Sequence, residues 1–153
     1  MKFEYSHPRP GCASTMVIVS PGDEEVLLGK RKETSNAFPG AWCLPGGMLE
    51  VAKERTITTA RRETEEECGI DIIERRWHLF YVNDTPGDDP RFDQIINVCY
   101  YTHVTEEEYN SVKGADDITE VKWVPINEAR KLNLAFAHNE VLDEYVKSTI
   151  KFF

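Results

Sequence analysis

Apolar residues recur along the chain with two different periods, and each period predicts a different element. Cys12 to Ser20 is β-branched and apolar, Pro21-Gly22-Asp23 is a turn, and Glu25 to Arg31 carries Val26, Leu27 and Leu28. That pattern predicts a strand, a turn and a returning strand. Ahead of it, Met1 to Gly11 contains Pro8 and Pro10 and reads as an extended lead-in or edge strand. Lys32 to Ala41 is polar, with Pro39-Gly40 inside it, and reads as a loop. From about Lys53 the spacing turns helical: Ile57, Ala60, Thr64 and Cys68 form one stripe, with no Gly or Pro until Gly69. Gly69 stands where a helix C-terminus favours a left-handed residue, and Pro45-Gly46-Gly47 in front reads as a tight turn.

Beyond this helix, Asp71 to Val82 is rich in Ile, Trp, Phe and Tyr and predicts one or two strands. Inside it, His78 has no second histidine nearby and reads as a packed or surface residue. Asn83 to Asp93 is the longest irregular stretch. Gln94 to Val104 and Ile118 to Pro125 are strands, and Thr105 to Asp117 is a polar connection with room for a short helix. Asn127 to Leu132 reads as a short helix, and Phe136 to Ile150 as a longer one with Val141, Leu142, Tyr145 and Val146 on its apolar stripe. Strands interspersed with helices and short hairpin connections predict an α/β fold, a mixed β-sheet with helices on both faces. No repeat or linker divides residues 1–153, so one domain is expected.

The 153 residues are enough to bury a core without disulfides. A net charge of −9 argues against a nucleic-acid partner, because phosphate backbones attract clustered Lys and Arg. An acidic protein that handles phosphates must screen its own charge, and metal ions can do so. Cys12, Cys43, Cys68 and Cys99 are scattered without zinc spacing, as expected of free thiols in a reducing compartment. No signal-peptide run and no membrane-spanning stretch is visible, so a cytoplasmic protein with no membrane partner is expected.

The helix carries the candidate chemistry. Glu63, Glu66 and Glu67 are spaced i, i+3, i+4, so their carboxylates leave one face close together. Like charges at this spacing cost a few tenths of a kcal/mol per pair, which Arg61, Arg62 or a bound cation would offset. Hard divalent cations, Mg²⁺ above all, take carboxylate oxygens and keep positions open for water and phosphate. The charges alone describe a solvated acidic face equally well.

The order of residues from Gly47 to Ile70 resembles the signature of the Nudix hydrolases, Gly-x5-Glu-x7-Arg-Glu-U-x-Glu-Glu-x-Gly-U, with U bulky and apolar. Glu54, Arg62-Glu63, Glu66-Glu67, Gly69 and Ile70 fall in place. Two positions depart from it. Thr64 stands at the first U, and six residues instead of five separate Gly47 from Glu54, leaving Lys53 and Glu54 as alternatives for the helix start. The strand Val26-Leu27-Leu28-Gly29-Lys30-Arg31 and the approach Gly40-Ala41-Trp42-Cys43-Leu44-Pro45-Gly46-Gly47 also look like this family.

The resemblance implies a Nudix α/β/α sandwich and hydrolysis of a nucleoside diphosphate linked to another moiety. It implies a divalent cofactor, Mg²⁺ or Mn²⁺, on Glu63, Glu67 and Glu66 with the Gly46 carbonyl, Arg62 orienting Glu63, and Glu54 near the helix start as an indirect or water-mediated partner of the metal. The general base comes either from the box or from a later loop; of Asp116, Asp117 and Glu120, the candidate is Glu120, with a solvated carboxylate as the alternative for each. ADP-ribose pyrophosphatases of this family carry a proline about sixteen residues past the box, which lands on Pro86. Asp89-Pro90-Arg91 and Leu134-Ala135-Phe136-Ala137-His138 also look like that subgroup. ADP-ribose is therefore the expected substrate, ahead of a nucleoside triphosphate or nucleotide-sugar. Arg91 is the candidate for two-point contact with a phosphate or carboxylate, with a surface charge as the alternative, and Phe38 for stacking on a nucleobase, with a core aromatic as the alternative. Many relatives are homodimers, and some Nudix domains are ligand-sensing modules without catalysis.

Overall fold

In the computed structural model, which describes residues 4–149, the strands in chain order are β1 (Gly11–Val19), β2 (Glu25–Arg31), β3 (Trp42–Cys43), β4 (Gly46–Met48), β5 (His78–Asn83), β6 (Ile95–His103) and β7 (Ile118–Pro125). The helices are α1 (Thr56–Cys68), α2 (Glu106–Ser111), α3 (Ile126–Ala129) and α4 (His138–Thr149), with 3-10 turns at Glu74–Arg76 and Ala135–Ala137. The strands form one mixed sheet in the order β3-β2-β1-β6-β5, with β4 added on β1 and β7 on β2. The parallel pair is β1 with β6, running from Gly11↔Ile95 to Val19↔His103.

The core explains the order. On β1, Met16 to Val19 are all fully buried, because alternate side chains meet different helices. Met16 and Ile18 pack with Leu27 and with Ala60 and Cys68 of α1, whereas Val17 and Val19 pack with Val26, Leu28 and with Leu142 and Tyr145 of α4. A strand covered on both faces reads as an unbroken apolar run, and each such side chain contributes roughly 1.5–3 kcal/mol by leaving water. Helices on both faces of a mixed sheet make the α/β/α sandwich expected above.

Pairing along β1 positions the site. Its first half gives one edge to β4, in the register Ala13↔Met48, Ser14↔Gly47 and Thr15↔Gly46, and it meets β2 only at Val19↔Val26. Gly46 and Gly47 are therefore strand residues rather than the tight turn the Pro-Gly-Gly sequence predicts, and neither has a positive φ. A free strand edge with main-chain groups to satisfy outweighs the local turn preference.

Three further expectations shift. Helix α1 starts at Thr56, later than its spacing predicts, because Ala52 takes a left-handed φ of 65° and the Lys53 N–H bonds the Glu50 carbonyl. That turn absorbs the additional residue between Gly47 and Glu54. Of the one or two strands open for Asp71 to Val82, β5 alone forms, after a 3-10 turn fixed by Arg76 reaching Glu108 and the His103 carbonyl. Helix α4 begins at His138 rather than Phe136, whose φ of 57° is non-helical. Ile150 lies outside the described residues, as do residues 1–3. All four cysteines are free, and no helix among the described residues is long and apolar enough to cross a membrane.

Candidate active site

A cavity of about 440 Å³ opens beside β1, β4 and α1 and extends to the loops after β5 and before β7. Its helical wall is built by α1. Gly69 ends that helix with φ 76°, its N–H bonded to the Glu65 carbonyl. Glu63 and Glu67 lie one turn apart on the face toward β4. A Cβ at Gly47 would overlap the Glu63 carboxyl group, so any other residue there displaces that side chain. The Gly46 N–H donates to Glu67 Oε1 at 3.0 Å.

Arg62 organises this wall. Its guanidinium donates to both Glu54 oxygens at 2.8 and 3.0 Å, to Glu63 Oε1 at 2.8 Å, to Glu66 Oε2 at 3.2 Å and to the Met48 carbonyl at 3.1 Å. These bonds hold the Glu54 carboxyl down at about 2, helped by the Glu50 N–H and the Thr59 hydroxyl. Burial pushes the Glu63 carboxyl up to about 7, against the hydrogen bond from Arg62. Burial, then the neighbouring charge of Glu63, raises the Glu67 carboxyl well above its ordinary value. Two carboxylates thus line the cavity with less counter-charge than they need.

The second wall comes from segments far apart in sequence. Arg31 at the end of β2 donates from Nε to the Ala37 carbonyl at 2.8 Å. Arg91 grips Asp89 at two points, 3.0 and 2.8 Å. Burial opposes the charge on Asp89, but the bonds from Arg91 outweigh it and leave that carboxyl below its ordinary value. Phe136 projects between the arginines, 4.8 Å from Arg31 Cζ and 5.5 Å from Arg91 Cζ. Beside it, buried His138 accepts the Leu44 N–H at Nδ1, 3.0 Å away, and burial lowers its pKa to about 3, so the ring is neutral.

Of the residues predicted from sequence, Gly46, Arg62, Glu63, Glu67 and Arg91 line this cavity. Glu66, Glu54, Glu120, Pro86 and Phe38 do not. Glu66 is an exposed carboxylate turned back to Arg62, because at this helical position it points outward from the sheet. Glu54 is enclosed and fully engaged with Thr59 and Arg62 of α1, whereas Lys53 is exposed, and Arg55 precedes the first helical residue. Glu120 is exposed on β7 opposite Lys30, while Asp116 and Asp117, weighed beside it, do line the cavity. Pro86 is exposed between Thr85 and the lining residue Asp88; Phe38 is exposed and meets the cavity only through its edge-on contact with Phe136. Arg31, Phe136 and His138 were not singled out by any spacing. Arg31 ends a strand and Phe136 lies in the turn before α4, and only the tertiary fold brings them together.

The donor set suits a hard divalent cation: two buried-side carboxylates with raised pKa beside Gly46, whose register on Thr15 brings backbone to the same place. Among the described residues no three His, Cys, Asp or Glu side chains already converge as a cation site. Glu63 and Glu67 are the residues that would hold one.

Fold and cavity set helix carboxylates and two arginines from distant segments around one cavity on a mixed sheet. The sequence model of the NUDIX domain matches residues 11–145, and the chain belongs to that family, the Nudix hydrolases. The ADP-ribose pyrophosphatase of Methanocaldococcus jannaschii is 33% identical over 125 residues, which is 82% of this chain and 68% of that protein. The ADPR responsive transcriptional repressor NtrR of Acinetobacter baylyi is 25% identical over 146 residues, 94% of this chain and 55% of the repressor. The NUDIX domain of Shewanella oneidensis NrtR, complexed with ADP ribose, superposes with a TM-score of 0.79 at 21% identity, covering 95% of this chain and 92% of that one.

Proposed function

We propose that the chain hydrolyses the pyrophosphate link of a nucleoside diphosphate joined to another group, with ADP-ribose as substrate and AMP and ribose 5-phosphate as products. The observation that carries this is one cavity in which Glu63 and Glu67 share the lining with Arg31 and Arg91. A diphosphate needs both: cations for its oxygens and a place for a divalent counter-ion. The relationship to the M. jannaschii pyrophosphatase supports the ADP-ribose assignment.

Mg²⁺ held by Glu63 and Glu67 would neutralise phosphate charge and acidify a bound water. The chain's own residues do the rest. Arg62 fixes the Glu63 carboxyl group, and the Gly46 N–H fixes that of Glu67, so neither reorganises as charge develops. Arg31 and Arg91 meet the phosphate oxygens. Asp116 or Asp117 takes the proton from the attacking water, replacing Glu120 in that role. Water oxygen bonds to phosphorus, the bridging P–O bond breaks, and the departing phosphate oxygen accepts a proton.

Release of AMP from ADP-ribose with Mg²⁺, beside nucleoside triphosphates and nucleotide-sugars, tests the proposal. AMP with ribose 5-phosphate in equal amounts is the expected result, and turnover of another panel member alone overturns the substrate assignment. A second reading, ADP-ribose sensing without turnover, is favoured by the likeness to the A. baylyi repressor along 94% of the chain. Calorimetric binding of ADP-ribose with no AMP released selects it.

A further inference from the structure

Phe136 (φ 57°, ψ 27°) and Ala137 (φ 55°) are consecutive non-glycine residues in the left-handed region, immediately before α4. Side chains seldom adopt that backbone unless their surroundings hold it. Here both flanks are fixed: Ala135 is buried, and His138 is buried and tied through Nδ1 to the Leu44 N–H. The strained pair turns the Phe136 ring into the cavity, where it meets Arg31, Arg91 and, edge-on at 4.8 Å, Phe38.

The two arginines differ in how they are neutralised. Arg91 has Asp89, whereas Arg31 forms no ion pair among the described residues; it meets the Ala37 carbonyl at Nε, the Cys43 thiol and the ring. An aromatic face attracts a guanidinium without using its N–H groups. A carboxylate in the same place would occupy them and compete with an anionic ligand.

We propose that Phe136 is a positioning residue, holding Arg31 and Arg91 as a two-guanidinium clamp that receives the diphosphate of the substrate. The proposal rests on the reading of the cavity as a diphosphate site, and it assigns Phe136 to the phosphates rather than to the nucleobase.

Inorganic pyrophosphate, which carries neither base nor sugar, is titrated calorimetrically into the whole chain without divalent cations. Wild type binds it at millimolar concentration or below, and Phe136→Leu weakens binding roughly tenfold while Phe136→Tyr stays within about twofold. In an Arg31→Gln background Phe136→Leu costs less than in wild type, because only the Arg91 contact is left for the ring to hold. Wild type that binds no pyrophosphate overturns the clamp, as does folded Phe136→Leu with unchanged affinity. Should Phe136→Leu not fold, Arg31→Gln reads the same clamp: a loss of affinity supports it and unchanged affinity overturns it. ADP-ribose turnover is read separately. Pyrophosphate binding that follows this pattern without any turnover overturns the proposed activity and leaves the clamp, whereas turnover with pyrophosphate affinity indifferent to Phe136 does the reverse.

Discussion

Arg62 and Arg31 are both partly buried arginines on the same cavity, yet they are held in opposite ways. Arg62 gives its N–H groups to three carboxylates and a carbonyl, all within 3.2 Å. Arg31 gives Nε to a carbonyl and rests against an aromatic ring. A guanidinium with every donor engaged fixes the groups around it, and one with donors to spare is placed to bind something else. The acidic wall is therefore preorganised internally, while the cationic wall keeps donors that the proposed diphosphate would engage.

The largest expected effect falls where the two walls meet in chemistry. Glu67→Gln retains an oxygen for the Gly46 N–H but removes the charge that would hold a cation under the proposed function. Turnover falls by at least about 100-fold, since a metal ion supplies several kcal/mol of transition-state stabilisation. Thermal stability is unchanged or higher, because a buried carboxylate short of counter-charge is gone. Steady-state rates together with a melting curve check both halves, and near-wild-type turnover would remove Glu67 from the cation site.

Next comes the contrast between the arginines themselves. Arg62→Ala leaves Glu54, only 6% exposed at its side chain, without its partner and costs about 3 kcal/mol. Arg31→Ala breaks no ion pair and costs about 1 kcal/mol, the worth of a partly exposed cation–π contact. Urea midpoints at constant m-value measure both. Equal losses would break the distinction between an arginine that builds the site and one that waits for substrate.

The acidic wall was legible in the sequence for the same reason that it is preorganised: it is local. Glu63, Glu66 and Glu67 follow one another at helical spacing, Arg62 precedes them, and Gly69 marks the end. What spacing could not decide was depth. Glu67 faces the sheet and Glu66 faces water, a difference of one helical position that depends on which face packs. The cationic wall draws on Arg31, Asp89, Arg91 and Phe136, and no local rule joins these positions. Arg91 could be guessed from a long polar loop; Arg31 could not, because it looks like the exposed end of a strand. The sheet and its two layers were readable from β1, whose unbroken apolar run demands cover on both faces, whereas short β4 depended on a strand edge that the sequence does not announce.

The two walls also respond to pH in opposite senses. Glu63 in the fold titrates at about 7 against an ordinary 4.5, so its contribution to stability is complete below 4.5 and is lost as pH rises through about 7. His138 titrates at about 3 against 6.5, so its contribution is complete above 6.5 and is lost as pH falls toward about 3. Neither slope exceeds about 1.4 kcal/mol per pH unit, the value for one proton. Denaturant titrations without divalent cations should show the loss on raising pH diminished in Glu63→Gln. The loss on lowering pH should diminish in His138→Asn, whose amide oxygen can still accept the Leu44 N–H. If either variant keeps the wild-type slope, that wall is not the source of it.

The smallest effect tests whether any of the acidic wall's stability lies in the seam beneath it. Thr64 is fully buried on the α1 stripe between Ala60 and Cys68, and its buried Oγ1 has no hydrogen-bond partner among the described residues. In its place the Nudix signature has a bulky apolar residue. Valine has nearly the same shape and a similar helix propensity, so the substitution removes an unsatisfied hydroxyl and little else. Thr64→Val should stabilise the fold by about 1 kcal/mol, a rise in Tm of roughly 3 °C for a chain of this size. The side chain does not line the cavity, so kcat should stay at its wild-type value. A gain in stability at constant turnover would show that the helix is held to the sheet independently of the charges on its other face. A loss of stability would mean that the hydroxyl finds a partner in solution, and that Thr64 belongs to the polar architecture of the site rather than to the core under it.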